Sequence, residues 1–265
     1  PGTPEGWEYY SNNEGRIAVV SGCLRMDDTT NNTTYSLNEA ILHVNLTGKT
    51  EVTLTLDHWS LTDDNHPLPA SFTGHQNGDG IALSVDGINW VKVTDLLDNF
   101  TNQTFNLDAV LQQAKVAAGS SDVSDVRIKF QQYDNQPAYL DGREFDNIQV
   151  TAKAPEIEVL GNGQEIVNGD TTPSFLDDTD FGNVGIGNSL IRTFTIRNTG
   201  EIALNLTGSP YVQVVGSTDF AMAQQPSSPV TANGGTTTFQ VDFKPSSEGT
   251  KTAIVLIDNN DADEN

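Results

Sequence analysis

The chain has 265 residues, with 13 Lys or Arg against 36 Asp or Glu and a formal charge of −23. This balance argues against a nucleic-acid partner and against insertion into an anionic membrane, because no basic patch is present to neutralise phosphates. The length fits one large domain or two ordinary ones. The 36 % hydrophobic fraction is made up with Gly, Thr, Asn and Asp, which suit strands and turns rather than disorder.

In chain order, Trp7–Tyr10 is an aromatic strand candidate, and Arg16–Met26 follows as one strand with Ile17, Val19 and Leu24 facing inward. The run 27–35, DDTTNNTTY, is a polar turn. Ser36–Thr47 reads as a strand with Leu42, Val44 and Leu46 on one face. Glu51–Leu61 alternates cleanly, with Val52, Leu54, Leu56 and His58 opposite Thr53, Thr55, Asp57 and Trp59. Thr62–Asn77 is a long polar loop of the kind that often carries function. Next comes a hairpin at 78–93, where Asp86-Gly87 offers the positive φ angles of a tight turn. Leu107–Ala117 is the one helical passage. Asp125–Tyr133 and Arg143–Lys153 are the last strands of this half, giving about eight at the spacing of a two-sheet jelly roll.

Pro155 within the 152–157 tract stops strand pairing, and the composition changes there. The division expected is 1–153 and 154–265. After Pro155 the chain holds 15 acidic and 4 basic residues. Strands are expected at Glu156–Leu160, Leu190–Asn198, Ala203–Leu206, Thr236–Lys244 and Thr250–Ile257, an immunoglobulin-like pattern without its Cys–Trp–Cys core. The fold class is therefore all-β, a jelly-roll sandwich followed by an immunoglobulin-like sandwich. A single cysteine, Cys23, rules out an internal disulfide, and no activating base is signalled near it. No signal peptide and no apolar run long enough to span a bilayer are found. The abrupt start at Pro1 and stop at Asn265 read as an excised piece.

Asp180–Gly185 (DFGNVG), Arg192–Gly200 (RTFTIRNTG), Phe239–Pro245 (FQVDFKP) and Gly249 form a specific series. It resembles the bacterial choice-of-anchor D repeat, related to the ASPM/SPD-2/Hydin and major-sperm-protein-like folds. The resemblance covers Pro155 to the end and implies a non-catalytic spacer or assembly domain in long secreted or surface proteins. It also implies one more strand after the 257–265 tract, lost by truncation or supplied by a neighbouring segment. More loosely, Leu37–Ala40, Asp79–Ile81, Ser84–Gly87 with Trp90, and Phe145–Val150 (FDNIQV) resemble MAM, reelin-repeat and carbohydrate-binding-module jelly rolls. Such relatives often hold a structural Ca²⁺ between their sheets, and by that resemblance Asp146 is the leading ligand.

Ca²⁺ needs six to eight hard oxygens. Glu39, Asp57 and Asp79 join Asp146 as candidates because they sit at strand ends or turns, and Asp57 interrupts an otherwise apolar and Thr-rich strand. The alternative is a solvated acidic surface with Asx turns. Aromatic rings near loops, Trp59, Trp90, Tyr133 and Tyr139, could stack on a sugar, with Asp63, Asp64, His66, His75, Asn135 and Arg143 near them to bond its hydroxyls. The competing reading is that Trp90 and Tyr133 cap the core. The four histidines show no zinc spacing. No GxSxG, P-loop or GxGxxG pattern occurs, so the expectation is no enzyme. The reading is a calcium-stabilised extracellular surface, adhesion or assembly module of bacterial origin, self-associating by strand exchange into filaments. The alternative is a polysaccharide-targeting module of a larger secreted enzyme. Expected partners are a polysaccharide or neighbouring domains of the same surface protein.

Overall fold

Strict alternation of apolar and polar residues dominates the first half of the chain, and each alternating run becomes a strand with one face inward. The computed structural model describes residues 6–62, 64–137 and 140–264. Tyr139 and Asp63 lie outside the described residues. The chain divides into two compact units between Ala152 and Lys153.

The first unit is a two-sheet sandwich. Its strands are β1 (Trp7–Ser11), β2 (Gly15–Val20), β3 (Cys23–Asp28), β4 (Ser36–Val44), β5 (Thr50–Ser60), β6 (Ser71–Thr73), β7 (Gly80–Ser84), β8 (Asn89–Asp95), β9 (Phe100–Asn106), β10 (Val126–Asp134) and β11 (Arg143–Lys153). One sheet runs β1-β4-β10-β7-β8-β6 and the other β2-β3-β11-β5-β9. The chain passes repeatedly between them, which is the jelly-roll habit. Leu54, Leu56, Ile81, Leu83, Ile128, Phe130 and Phe145 fill the space between the sheets. A smaller apolar cluster of Ile41, Leu68, Ala82, Trp90 and Phe72 lies on the opposite face of the six-stranded sheet.

Local chemistry sets the connections. The span expected to be one strand over 16–26 is two, β2 and β3, because Ser21 (φ 54°) and Gly22 (φ 94°) turn the chain back on itself. At the 84–89 turn only Gly87 takes positive φ (72°). The Asp86 carboxylate instead organises that turn, accepting from the N–H groups of Ile88 and Asn89, both at 2.8 Å. Burial alone would raise its pKa, but these bonds, with the Asn89 side chain and the Ser84 hydroxyl, hold it at about 2. The helix α1 (Asp108–Ala118) ends on Gly119 in the left-handed region (φ 63°), which closes its last turn. The loop expected at 62–77 contains β6 and is anchored by Leu68, whose N–H reaches Asp95 Oδ1 at 3.0 Å. Leu68 packs where any side chain on Gly80 would stand, with Cδ1 2.4 Å from the position of a Cβ there.

The second unit holds β12 (Ile157–Gly161), β13 (Gln164–Glu165), β14 (Leu190–Asn198), β15 (Val212–Gly216), β16 (Phe220–Gln224), β17 (Gly235–Phe243) and β18 (Ala253–Ile257). A five-stranded sheet, β13-β12-β14-β17-β16, faces a two-stranded one, β15-β18. Ile157, Phe194, Ile196, Val212, Phe239 and Val241 form the core between them. The strand expected at Ala203–Leu206 is reduced to isolated bridges, Leu204 to Val230 and Leu206 to Asn259.

Candidate functional site

Buried charge in the first unit includes Asp27 and Asp28 at the end of β3 and Asp57 in β5, and two acid–base pairs lie around β4, β10 and the start of β11. Glu39 (β4) and Lys129 (β10) lie on the face of the six-stranded sheet away from the main core, and both are almost fully buried. Lys129 Nζ meets Glu39 Oε1 at 2.9 Å and donates to the Gly74 carbonyl at 3.1 Å. The other Glu39 oxygen pairs with His75 Nδ1 at 2.7 Å, and Tyr10 stacks on that imidazole at 3.8 Å. Lys129 also sits 4.1 Å above the Trp90 ring, a cation–π contact made away from water. Burial lowers the Lys129 pKa, and the Glu39 charge opposes that shift.

Asp79 and Arg143 form a second buried pair, with Arg143 Nε 3.4 Å from Asp79 Oδ1. Asp79 also accepts from the N–H groups of Tyr133 and His66, both at 2.8 Å. Burial raises its pKa, while Arg143 and those hydrogen bonds pull the other way. Arg143 donates toward His58 Nε2 at 3.4 Å, and His58 Nδ1 lies 3.0 Å from the Asp98 carbonyl. Desolvation, then the Arg143 charge, lower the His58 pKa to about 4, so the ring is neutral at pH 7. Close by, Asp134 is 2 % exposed, and its Oδ2 has no hydrogen-bond partner among the described residues. Burial is the main cause that pushes its pKa up to about 6; the Asn135 N–H opposes, and the charges of Asp141 and Asp79 add to the rise.

Several expected site residues are placed otherwise. Trp90 is 2 % exposed and Arg143 0 %, so neither can meet a polysaccharide from solvent. Both are held inside because Lys129 covers one and Asp79 the other. Trp59 is half-buried and lines a shallow depression with Cys23, Ser60, Leu61, Asn99 and Glu144. Tyr133 stacks on Tyr35 at 4.9 Å and meets His66 edge-on at 5.3 Å, and Asn135 follows just beyond Asp134. The four expected calcium ligands do not form one cage. Glu39 is neutralised by Lys129, and Asp79 faces Arg143. Asp57 accepts from the Asn102 N–H and from Asn147 Nδ2. Asp146 accepts from the Asn147 N–H at 2.8 Å and lies beside Cys23. Burial, then Asp146 and Glu144, raise the pKa of that thiol, the opposite of what a nucleophile needs.

Among the described residues, one group of three potential metal-ligating side chains converges: Glu156, Asp261 and Asp263, with oxygens within 4.8 Å of one another. Asp261 is 1 % exposed and accepts from the Ile157 N–H at 2.9 Å. Burial raises its pKa, and Asp263 adds to the rise. No spacing rule finds this trio, because its members meet only when the chain after β18 returns to the start of β12. Among the described residues no helix is long and apolar enough to cross a membrane.

Paired sheets, structural charge and a sandwich-type second unit define an all-β protein with an immunoglobulin-like segment. Residues 174–265 match the family model described as the HYDIN/CFA65/VesB-like, Ig-like domain. No curated protein and no solved structure matches the chain.

Proposed function

We propose that this chain is a non-catalytic extracellular module for surface adhesion or assembly. Its first unit is a MAM- or carbohydrate-binding-module-like jelly roll, and its second is a spacer of the choice-of-anchor D kind. The observation that carries this reading is that two of the most deeply buried acids of the first unit are each paired with a buried base. Glu39 is committed to Lys129 and Asp79 to Arg143, so these acids neutralise neighbours instead of standing free to attack a substrate. The match of residues 174–265 to an Ig-like domain supports the spacer role. Bound calcium belongs to the same proposal. The trio Glu156, Asp261 and Asp263 supports it better than the four carboxylates singled out by position, since crowded carboxylates repel one another until a cation joins them. Labelling intact producing cells with a reagent that cannot cross membranes tests the location. Labelled protein fits the proposal, and protein reachable only after lysis overturns it.

A second reading, a polysaccharide-binding module, is favoured by the Tyr35–Tyr133–His66 ring cluster. Tyr35 is 37 % exposed, so its ring can meet solvent. Retardation on a polysaccharide affinity gel that disappears in Tyr35→Ala would establish it. Equal mobility of both proteins would remove it.

A further inference from the structure

The two outer faces of the first unit are treated differently. Residues 66–79 cross the outer face of the six-stranded sheet and are tied down to it. The Gly74 carbonyl accepts from the Lys129 ammonium at 3.1 Å, His75 Nδ1 meets Glu39 at 2.7 Å, and the Gly78 carbonyl accepts from Gln131 Nε2 at 2.9 Å. Leu68 and Phe72 of this crossing segment pack on Ile41, Ala82 and Trp90 of the sheet. That face is roofed. On the five-stranded sheet Leu54 and Leu56 of β5 belong to the core, so alternation turns Thr53, Thr55, Asp57 and Trp59 outward. Beside them Asn102 and Thr104 on β9 and Asn147, Gln149 and Thr151 on β11 are exposed. This face is open.

Cross-strand contacts arrange the open face in rows. Thr53 meets Thr151 at 2.7 Å, and Thr55 meets Thr104 at 2.8 Å. In the next row Asp57 accepts from Asn147 Nδ2 at 2.7 Å and from the Asn102 N–H. The last row holds Trp59, half-buried, in the depression of about 440 Å³ that Asn99 and Glu144 also line. Successive rows are roughly 6.5–7 Å apart, two residues of strand. Polar atoms are left over around the ring. Asn99 Oδ1 accepts the Ser60 N–H at 2.6 Å, and its NH₂ group has no partner among the described residues. Glu144 receives Arg25 Nε on Oε1 at 2.6 Å, and its Oε2 has none among them either.

We infer that the outer face of the five-stranded sheet binds an extended neutral polysaccharide, with one sugar ring on Trp59 and the following rings along the rows of β5. This goes beyond the readings above. The ligand lies away from the ring cluster beside β4 and β10, its charge class is fixed, and its binding does not depend on Tyr35. The chemistry of the face selects the ligand. Below Trp59 the rows hold hydroxyls, amides and a carboxylate, whereas a protein partner is met through an apolar, fully buried centre. The ionised groups are the acids Asp57 and Glu144, and Arg25 beside them is already bonded to Glu144. A uronate or sulfated chain would bring its own negative charge against these carboxylates and against a protein charge of −23. A neutral chain meets no such repulsion. Its pyranose face can lie on the indole, and its hydroxyls, each both donor and acceptor, match the amides and the carboxylate oxygens.

Isothermal titration calorimetry of the whole chain tests this, with cellohexaose, xylohexaose, mannohexaose and maltohexaose as neutral probes and hexagalacturonate as the charged one. The inference predicts saturable binding of at least one neutral probe and none of the charged one. Trp59→Ala should weaken that binding by about tenfold or more, the scale of one lost ring contact. Thr104→Glu places a longer side chain over the Thr55 row from an exposed position on the edge strand β9. It should weaken binding with an unchanged circular dichroism spectrum, and it keeps the test valid if Trp59→Ala fails to fold. Tyr35→Ala should bind as the native protein does. Silence from every neutral probe overturns the inference, as does binding of hexagalacturonate, or an affinity that both face variants retain. Binding that is lost in Tyr35→Ala and kept in the face variants also overturns it, and leaves the ring cluster as the polysaccharide site.

Discussion

Replacing Asp134 by asparagine should stabilise the first unit, and only above a definite pH. The carboxyl is 2 % exposed, one of its oxygens has no partner among the described residues, and its pKa is raised from 3.8 to about 6. Below 3.8 it is protonated in both folded and unfolded chains and costs nothing. Between 3.8 and 6 the unfolded chain gives up its proton first, so stability falls as pH rises. Above 6 the full cost is present, about 3 kcal/mol at roughly 1.4 kcal/mol per tenfold change in the proton equilibrium. Asparagine cannot ionise, and its side-chain oxygen can still accept from the Asn135 N–H now bonded at 2.6 Å. The expected gain at pH 7.5 is therefore up to about 3 kcal/mol, or about 6–12 °C in melting temperature for a unit of this size. All three tryptophans, Trp7, Trp59 and Trp90, lie in the first unit, so tryptophan fluorescence follows its unfolding alone. Urea melts at pH 3.5 and 7.5 give the comparison. A loss at pH 7.5, or the same gain at both pH values, would refute the reasoning. A loss would mean that the ionised form is held by something the carboxylate needs.

His58 provides an opposite slope. Its pKa is lowered from 6.5 to about 4, so its contribution is complete above 6.5 and is lost as pH falls toward 4, about 3 kcal/mol in all. The two windows overlap, so the native protein should be nearly flat in stability between pH 4 and 6. Asp134→Asn should then lose stability over that range as acid is added, and a flat profile in the variant would contradict the His58 assignment. Calcium at a concentration a hundredfold above its dissociation constant should stabilise the second unit by about 2.7 kcal/mol. Calorimetry of the whole chain reads this, since the second unit has no tryptophan. The shift should vanish in Asp261→Asn, and equal melting curves with calcium and with chelator would dismiss the trio as a calcium site.

The strands with clean alternation were legible: β5, β10, β11, β14, β17 and β18 lie where the pattern places them, within a residue or a few. The misses have physical causes. The alternation of 16–26 continues across Ser21-Gly22 as if unbroken, because a two-residue turn need not disturb the period. The strand β9 is mostly Thr, Asn and Gln with two phenylalanines, and it is recruited by pairing with β5 rather than by its own burial. The strands β15 and β16 are five residues each and leave most of their side chains partly exposed. In the candidate site, Glu39 and Asp79 stood out as acids at strand ends or turns. Their partners did not, because Glu39 and Lys129 are 90 residues apart and meet only through the β4–β10 register. A lysine inside the run VRIKF was the available signal, since a strand interior rarely holds an unpaired ammonium. Trp90 and Arg143 show the reverse error: ring and guanidinium suit a sugar, but pairing with Lys129 and Asp79 draws them inward.

The account treats the buried charges as parts of the framework, and Glu39→Gln tests that most directly. A group kept for chemistry is commonly a burden on stability, and its removal leaves stability unchanged or raises it. A carboxylate that neutralises a buried ammonium leaves that charge stranded when it is removed, at a cost of about 3–5 kcal/mol. Tryptophan-monitored urea unfolding at pH 7.5 should show a loss of that size. An unchanged or higher midpoint would contradict the account.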